Sequence, residues 1–139
     1  MFNKMLVAND GSRGGERALK GALELAKRLE IDLTMICVEE LPRFPASIDE
    51  VEETQANDRS AFAKVVASAK ALARSYGVAF EAHVVAGHAA PSILEFIKRG
   101  GYDTLVVGFI GHSALYNRLI GGTTDRLVDL APCQVLVVK

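Results

Sequence analysis

Apolar positions along the chain fall into two alternating patterns. Short, nearly continuous apolar runs occur at about Lys4–Asn9, Ile31–Val38, Val78–Val85, Thr104–Val107 and Gln134–Val138. Runs of this length, rich in valine and isoleucine, read as buried strands. Between them the apolar residues recur at helical spacing. Ala18, Ala22, Leu25 and Leu29, flanked by Leu19, Leu23 and Ala26, form one such stripe. Phe62, Val65, Val66, Ala69, Leu72, Ala73 and Tyr76 form a second, and Gly77 follows where a C-terminal glycine cap belongs. A shorter helix carries Ile93, Leu94 and Ile97 and stops at Gly100-Gly101; a last one covers about Thr124–Ala131. Gly21 interrupts the first stripe at a cost of about 1 kcal/mol against alanine; either it permits close packing on the sheet or it is merely tolerated.

Strand and helix alternate from end to end, which predicts an α/β domain: an open parallel sheet with helices on both faces. The 139 residues suit one domain, and the 50% hydrophobic content is enough for one core. No repeat, linker or low-complexity segment divides the chain. A net charge of −1, with both signs dispersed, argues against nucleic acid or an anionic membrane as partner. No apolar run approaches the roughly 18–20 residues that span a bilayer, and the first residues are too short for a signal-peptide core. A cytoplasmic location is expected. Cys37 and Cys133 lie in or beside apolar runs and form no CxxC pair, so they read as reduced, buried thiols. His83, His88 and His112 lack metal-site spacing.

In such sheets, ligands bind beyond the carboxyl ends of the strands, where the strand order reverses. Two segments there could carry chemistry. The first is Ala8-Asn9-Asp10-Gly11-Ser12, after the first strand. Asp10 could accept hydrogen bonds from an adenine amino group or a ribose hydroxyl, or could organise its own turn. Ser12 is better read as a helix cap than as a phosphate ligand. The second segment runs from Gly108-Phe109-Ile110-Gly111 to Gly121-Gly122-Thr123-Thr124. Its glycines let backbone amides approach a phosphate, and a helix N-terminus follows with unpaired N–H groups. A plain glycine turn with a threonine cap fits the same residues.

Other nucleotide chemistries fit less well. There is no GxxxxGK[ST] segment, and no GxGxxG follows the first strand. Glu39 and Glu40 end the second strand where a ribose-binding acid would stand, but acids alone are weak evidence. Ser113, in Gly111-His112-Ser113-Ala114-Leu115, lacks the second glycine of a nucleophile elbow. Arg118 reads as a solvated arginine within the loop.

Taken together, Leu6-Val7-Ala8-Asn9-Asp10-Gly11-Ser12, the spacing of Gly108, Gly111 and Gly121, and the ending Ala131-Pro132-Cys133-Gln134-Val135-Leu136-Val137-Val138 resemble the universal stress protein family over essentially the whole length, residues 1–139. The glycines fit that family's G-x2-G-x9-G-[ST] pattern for ATP, except that Gly122 stands where the pattern has Ser or Thr. Losing one neutral hydrogen bond costs about 1 kcal/mol, and Thr123 or Thr124 could supply the hydroxyl. The resemblance implies a Rossmann-like five-stranded sheet of order 3-2-1-4-5. It implies that Asp10 contacts the adenosine moiety, that Ala8 and Asn9 line the base pocket, and that Val38 packs near the adenine. Val107, Gly108 and Gly111 would serve the ribose and phosphates, and Gly121, Gly122, Thr123 and Thr124 the phosphate cradle.

The expected function is an ATP-binding protein of stress response or signalling, in which the ligand shifts a loop between conformations. No efficient enzyme is expected: the loop has no P-loop lysine and no evident base, which leaves room only for slow hydrolysis with Mg2+ at the phosphates. The apolar fifth strand, at an edge in that order, is expected to pair with its copy in a homodimer. The alternatives are a nucleotide-free dimeric interaction module and, less in keeping with the motifs, a small Rossmann-like oxidoreductase.

Overall fold

The computed structural model describes residues 1–41, 48–109 and 122–139, with the side chains of 48–60 outside the description. The elements are β1 (Met5–Ala8), α1 (Arg13–Leu29), β2 (Leu33–Glu40), α2 (Ile48–Tyr76), β3 (Phe80–Gly87), α3 (Ala89–Gly100), β4 (Thr104–Gly108), α4 (Gly122–Leu130) and β5 (Gln134–Val138). The strands form one parallel sheet in the order β3-β2-β1-β4-β5, as the family resemblance implied.

Alternate residues of the central strands feed two separate cores. Met5, Val7, Leu33, Met35, Cys37 and Val106 pack beneath α1 and α2, against Leu19, Leu23, Ala69 and Ala73. Leu6, Ile36, Leu105 and Val107 pack on the opposite face, against Ile93 and Ile97 of α3 and Leu127 of α4. Burial on both faces explains why these strands read as continuous apolar runs rather than alternating ones. Gly21 has a packing reason: a Cβ there would stand 3.3 Å from Cγ2 of Val138, so α1 sits close against β5.

Two strands begin two residues later than the apolar runs suggest, for one physical reason. Glu30 adopts the left-handed conformation (φ 56°), and the N–H of Ile31 donates to Ala26 O at 3.0 Å to close α1. After α2, Gly77 (φ 70°) plays the same part, and Val78 N–H donates to Ala73 O at 3.1 Å. Ile31 and Val78 are spent on helix ends and cannot also join the ladder. At the other end, β2 and β3 run on together until Glu40 pairs with Gly87, past the last apolar residue of either run. At the amino edge of the sheet, Asp103 accepts N–H bonds from Asn3 (3.0 Å) and Lys4 (3.2 Å) and the Thr104 hydroxyl (3.0 Å). Slight desolvation raises its pKa, but these donors more than offset that and hold the carboxyl below the usual carboxylate range. The clamp ties the chain before β1 to the start of β4.

Candidate functional site

Strand order reverses between β1 and β4, and a step in the sheet opens there. β1 stops at Ala8, level with Ile36, whereas β2 continues four residues further, to Glu40. On the other side, β4 ends at Gly108, and Phe109 N–H donates to Val138 O at 2.8 Å. The crevice beyond β1 therefore has a projecting wall on the β2 side. Ala8, Val38 and Val107 belong to the layer beneath α3 and α4, so the structure gathers these three sequence-predicted residues on one face at the carboxyl ends of three neighbouring strands. Together they make an apolar patch on that face, with Val107 buried and Ala8 and Val38 half-buried.

The turn after β1 is held by its own side chains. Asn9 is 5% exposed; its Oδ1 accepts Gly11 N–H at 2.9 Å and its Nδ2 lies 3.6 Å from Met35 Sδ. The Asn9 side chain is thus turned into the α1/α2 layer, away from the patch that Ala8 and Val38 provide. Asp10 Oδ1 accepts from Ser12 N–H (3.0 Å) and from the Ser12 hydroxyl (2.5 Å), and Ser12 Oγ in turn accepts Gly15 N–H at 3.1 Å. Ser12 is the cap of α1, as its position suggested. Asp10 organises the turn and remains exposed at the crevice. Its negative charge reaches Cys37 beneath the turn. Burial first, and that charge second, push the Cys37 thiol up to about 12, so it packs as an inert apolar group. Both cysteines are free thiols.

The glycines at this site do different jobs. A Cβ on Gly108 would overlap the Gly14 carbonyl and stand 3.0 Å from Gly14 Cα, so Gly108 is the contact that lets the first turn of α1 lie against the end of β4. From the sequence, phosphate approach and a plain glycine turn both fitted Gly108; packing against Gly14 requires a glycine here in its own right. Gly15 is as constrained: a Cβ there would collide with Asn9 Oδ1 and stand 2.9 Å from Asp10 Oδ1. At Gly122 an added Cβ meets nothing within 4 Å among the described residues.

α4 begins at Gly122, two residues before the expected start, and presents its first turn to solvent, with Gly122 and Thr123 exposed. Thr124 Oγ1 donates to Gly108 O at 2.9 Å, tying the start of α4 to the end of β4. That commits its proton and leaves the exposed Thr123 as the hydroxyl donor of this turn. Gly111 and Gly121, with His112, Ser113 and Arg118, lie outside the described residues. Among the described residues, no cluster of three or more His, Cys, Asp or Glu could hold a metal, and no helix is long and apolar enough to cross a membrane.

One residue has a role that sequence reasoning missed. Glu40 reaches from the end of β2 to the start of α3, where its Oε1 accepts Ala89 N–H at 3.0 Å and its Oε2 lies 3.4 Å from His88 Nδ1. It caps a helix whose own preceding residue, His88, makes no side-chain cap bond. The available signal was the lack of Ser, Thr, Asp or Asn before Ala89.

The sequence model described as "Universal stress protein family" matches residues 1–139. The chain belongs to the universal stress protein family. The universal stress protein YxiE of Bacillus subtilis is 32% identical over the full length of both chains. Among solved structures, universal stress protein UspA of Lactobacillus plantarum superposes with a TM-score of 0.88 at 20% identity, covering 99% of this chain and 98% of its own. A universal stress protein in complex with cAMP gives 0.77 at 22% identity (99% and 97% covered). An Arabidopsis thaliana family member with AMP bound gives 0.70 at 21% (99% and 91% covered). At these identities, the structural likeness speaks for the fold.

Proposed function

We propose that this universal stress protein binds an adenine nucleotide, ATP foremost, in the crevice beyond β1, and that it acts in the cytoplasm as a ligand-dependent switch in stress response or signalling rather than as an enzyme. The observation that carries the reading is the step at the strand reversal, where the apolar patch of Ala8, Val38 and Val107 stands beside the Asp10 turn and the exposed first turn of α4. The base would take this patch as its floor. The Asp10 carboxylate would accept from the ribose or the base, and the phosphates would meet the N–H groups of Gly122 and Thr123 and the Thr123 hydroxyl. Family members with AMP and cAMP bound support the ligand class. Mg2+, where present, would be held by the phosphates and water.

Calorimetry with ATP, ADP, AMP and adenosine tests the reading. A helix N-terminus rewards added negative charge, so ATP should bind about tenfold more tightly than adenosine, counting about 1.4 kcal/mol from the α4 turn. Equal affinities would remove the phosphate site, and no binding by any of the four would remove the reading. The nucleotide-free module retains one supporting observation: Gly108 is required by Gly14 whether or not a ligand binds. Mass spectrometry of the acid extract of purified protein separates the two readings.

The assembly we propose is a homodimer through the edge strand β5. Its exposed apolar side chain is Leu136, at 41%, whereas Val138 packs toward Gly21 and Val137 toward the α3/α4 core. Leu136→Lys should therefore shift the dimer to monomer with little loss of monomer stability. Light scattering that gives a monomeric wild type at micromolar concentration, or an unaltered dimer in the variant, would overturn this interface.

A further inference from the structure

On the face of the sheet opposite the nucleotide floor, α1 and α2 leave a groove of about 460 Å³ between them. Ligand cavities run from about 300 to 1,000 Å³, so the space is of ligand size. Its floor is apolar, built from Leu19 of α1 and Val65, Ala69 and Leu72 of α2. The two helices run parallel, since each returns from the carboxyl edge of the sheet. Val65 Cγ2 lies 3.3 Å from where a Cβ on Gly11 would stand, which sets this turn of α2 beside the β1–α1 turn. From Lys64 to Leu72 the groove follows α2 for about 12 Å, taking 1.5 Å per residue.

Charge along the groove is uneven. Lys20, at the end away from the turn, is paired with Glu16 at 3.3 Å. Lys64, at the turn end, has no such partner among the described residues and stands exposed near Ser12 and Ser68. One end therefore offers a cation and hydroxyls beside Asn9, and the remainder sets the aliphatic side chains of Leu19, Val65, Ala69 and Leu72 beside the Glu16–Lys20 pair.

We infer that the groove between α1 and α2 is a second ligand site, which takes a small amphipathic carboxylate with its head at Lys64 and its chain along Val65, Ala69, Leu72 and Leu19. The inference does not rest on the nucleotide reading, because Val38 and Val107 belong to the other layer. The head would lie against the same turn that carries Asp10, so occupancy of the groove touches one wall of the crevice.

The test uses octanoate, 1-octanol and octylammonium as probes, followed by amide chemical shifts of the full chain. Octanoate should give saturable shifts at Gly11, Ser12, Val65, Ser68 and Leu72, and octylammonium none at these sites. Lys64→Glu should weaken octanoate about three- to fivefold, the scale of one exposed charge pair, and leave 1-octanol unaffected. Ser68→Trp, at an exposed helix position, should fill the groove and abolish the shifts while circular dichroism stays native. Absent shifts, octylammonium binding as tightly as octanoate, unchanged affinity in either variant, or stoichiometric displacement of octanoate by ATP would each overturn the site.

Discussion

Gly108→Ala should lower stability by about 2–3 kcal/mol, the cost of forcing a methyl into filled space, and the melting temperature by about 6–10 °C for a chain of this size. The magnitude follows from what the methyl meets. Its neighbour is the backbone carbonyl of Gly14, in the first turn of α1, and a backbone cannot swing aside as a side-chain tip can. Either α1 moves away from the end of β4 or the end of β4 bends. Both shift the Ser12–Gly15 cap, so nucleotide affinity should fall with stability. Gly122→Ala is the control: among the described residues nothing stands within 4 Å of the added atom, and stability should change by less than about 0.5 kcal/mol. Thermal melts of the two variants check the pair. A Gly108→Ala protein that melts with the wild type would mean that α1 and β4 do not approach as described.

Asp10→Ala should weaken ATP binding by about 1–3 kcal/mol, the range for a hydrogen bond to a charged group. It should also cost some stability, because Asp10 Oδ1 accepts from both Ser12 N–H and Ser12 Oγ. Ser12→Ala separates the two effects. It removes the α1 cap, worth about 1 kcal/mol, and keeps the carboxylate at the crevice. Calorimetry with folded variants should find Asp10→Ala the weaker binder by at least about fivefold. Equal affinities would confine Asp10 to the turn.

The chain shows how much of such a site can be read early. The roles of Ala8, Val38 and Val107 came from the family resemblance, and the ends of the apolar runs placed all three at the carboxyl ends of strands. The resemblance grouped Asn9 with Ala8, yet its side chain points into the other layer. Neighbours along a strand face opposite sides, and which side belongs to which core depends on where the helices return. Glu40 was weighed only as a ribose-binding acid, because its partner, the start of α3, is 49 residues away along the chain.

The sequence by itself determined the element order, the parallel sheet, the Ser12 cap and the residues that crowd the carboxyl edge. Period, turn chemistry and capping are local, and each is written within a few neighbouring residues. Only the tertiary structure decided where β2 and β3 begin, since Ile31 and Val78 were claimed by helix ends instead of the ladder. It also decided that Gly108 answers to Gly14, that Thr124 is tied to Gly108, and that Leu136 is the exposed apolar side chain of β5. These facts depend on distances between segments far apart along the chain. A backbone carbonyl that blocks a methyl leaves no trace in the order of residues, because glycine looks the same whether it faces a ligand, a turn or another helix.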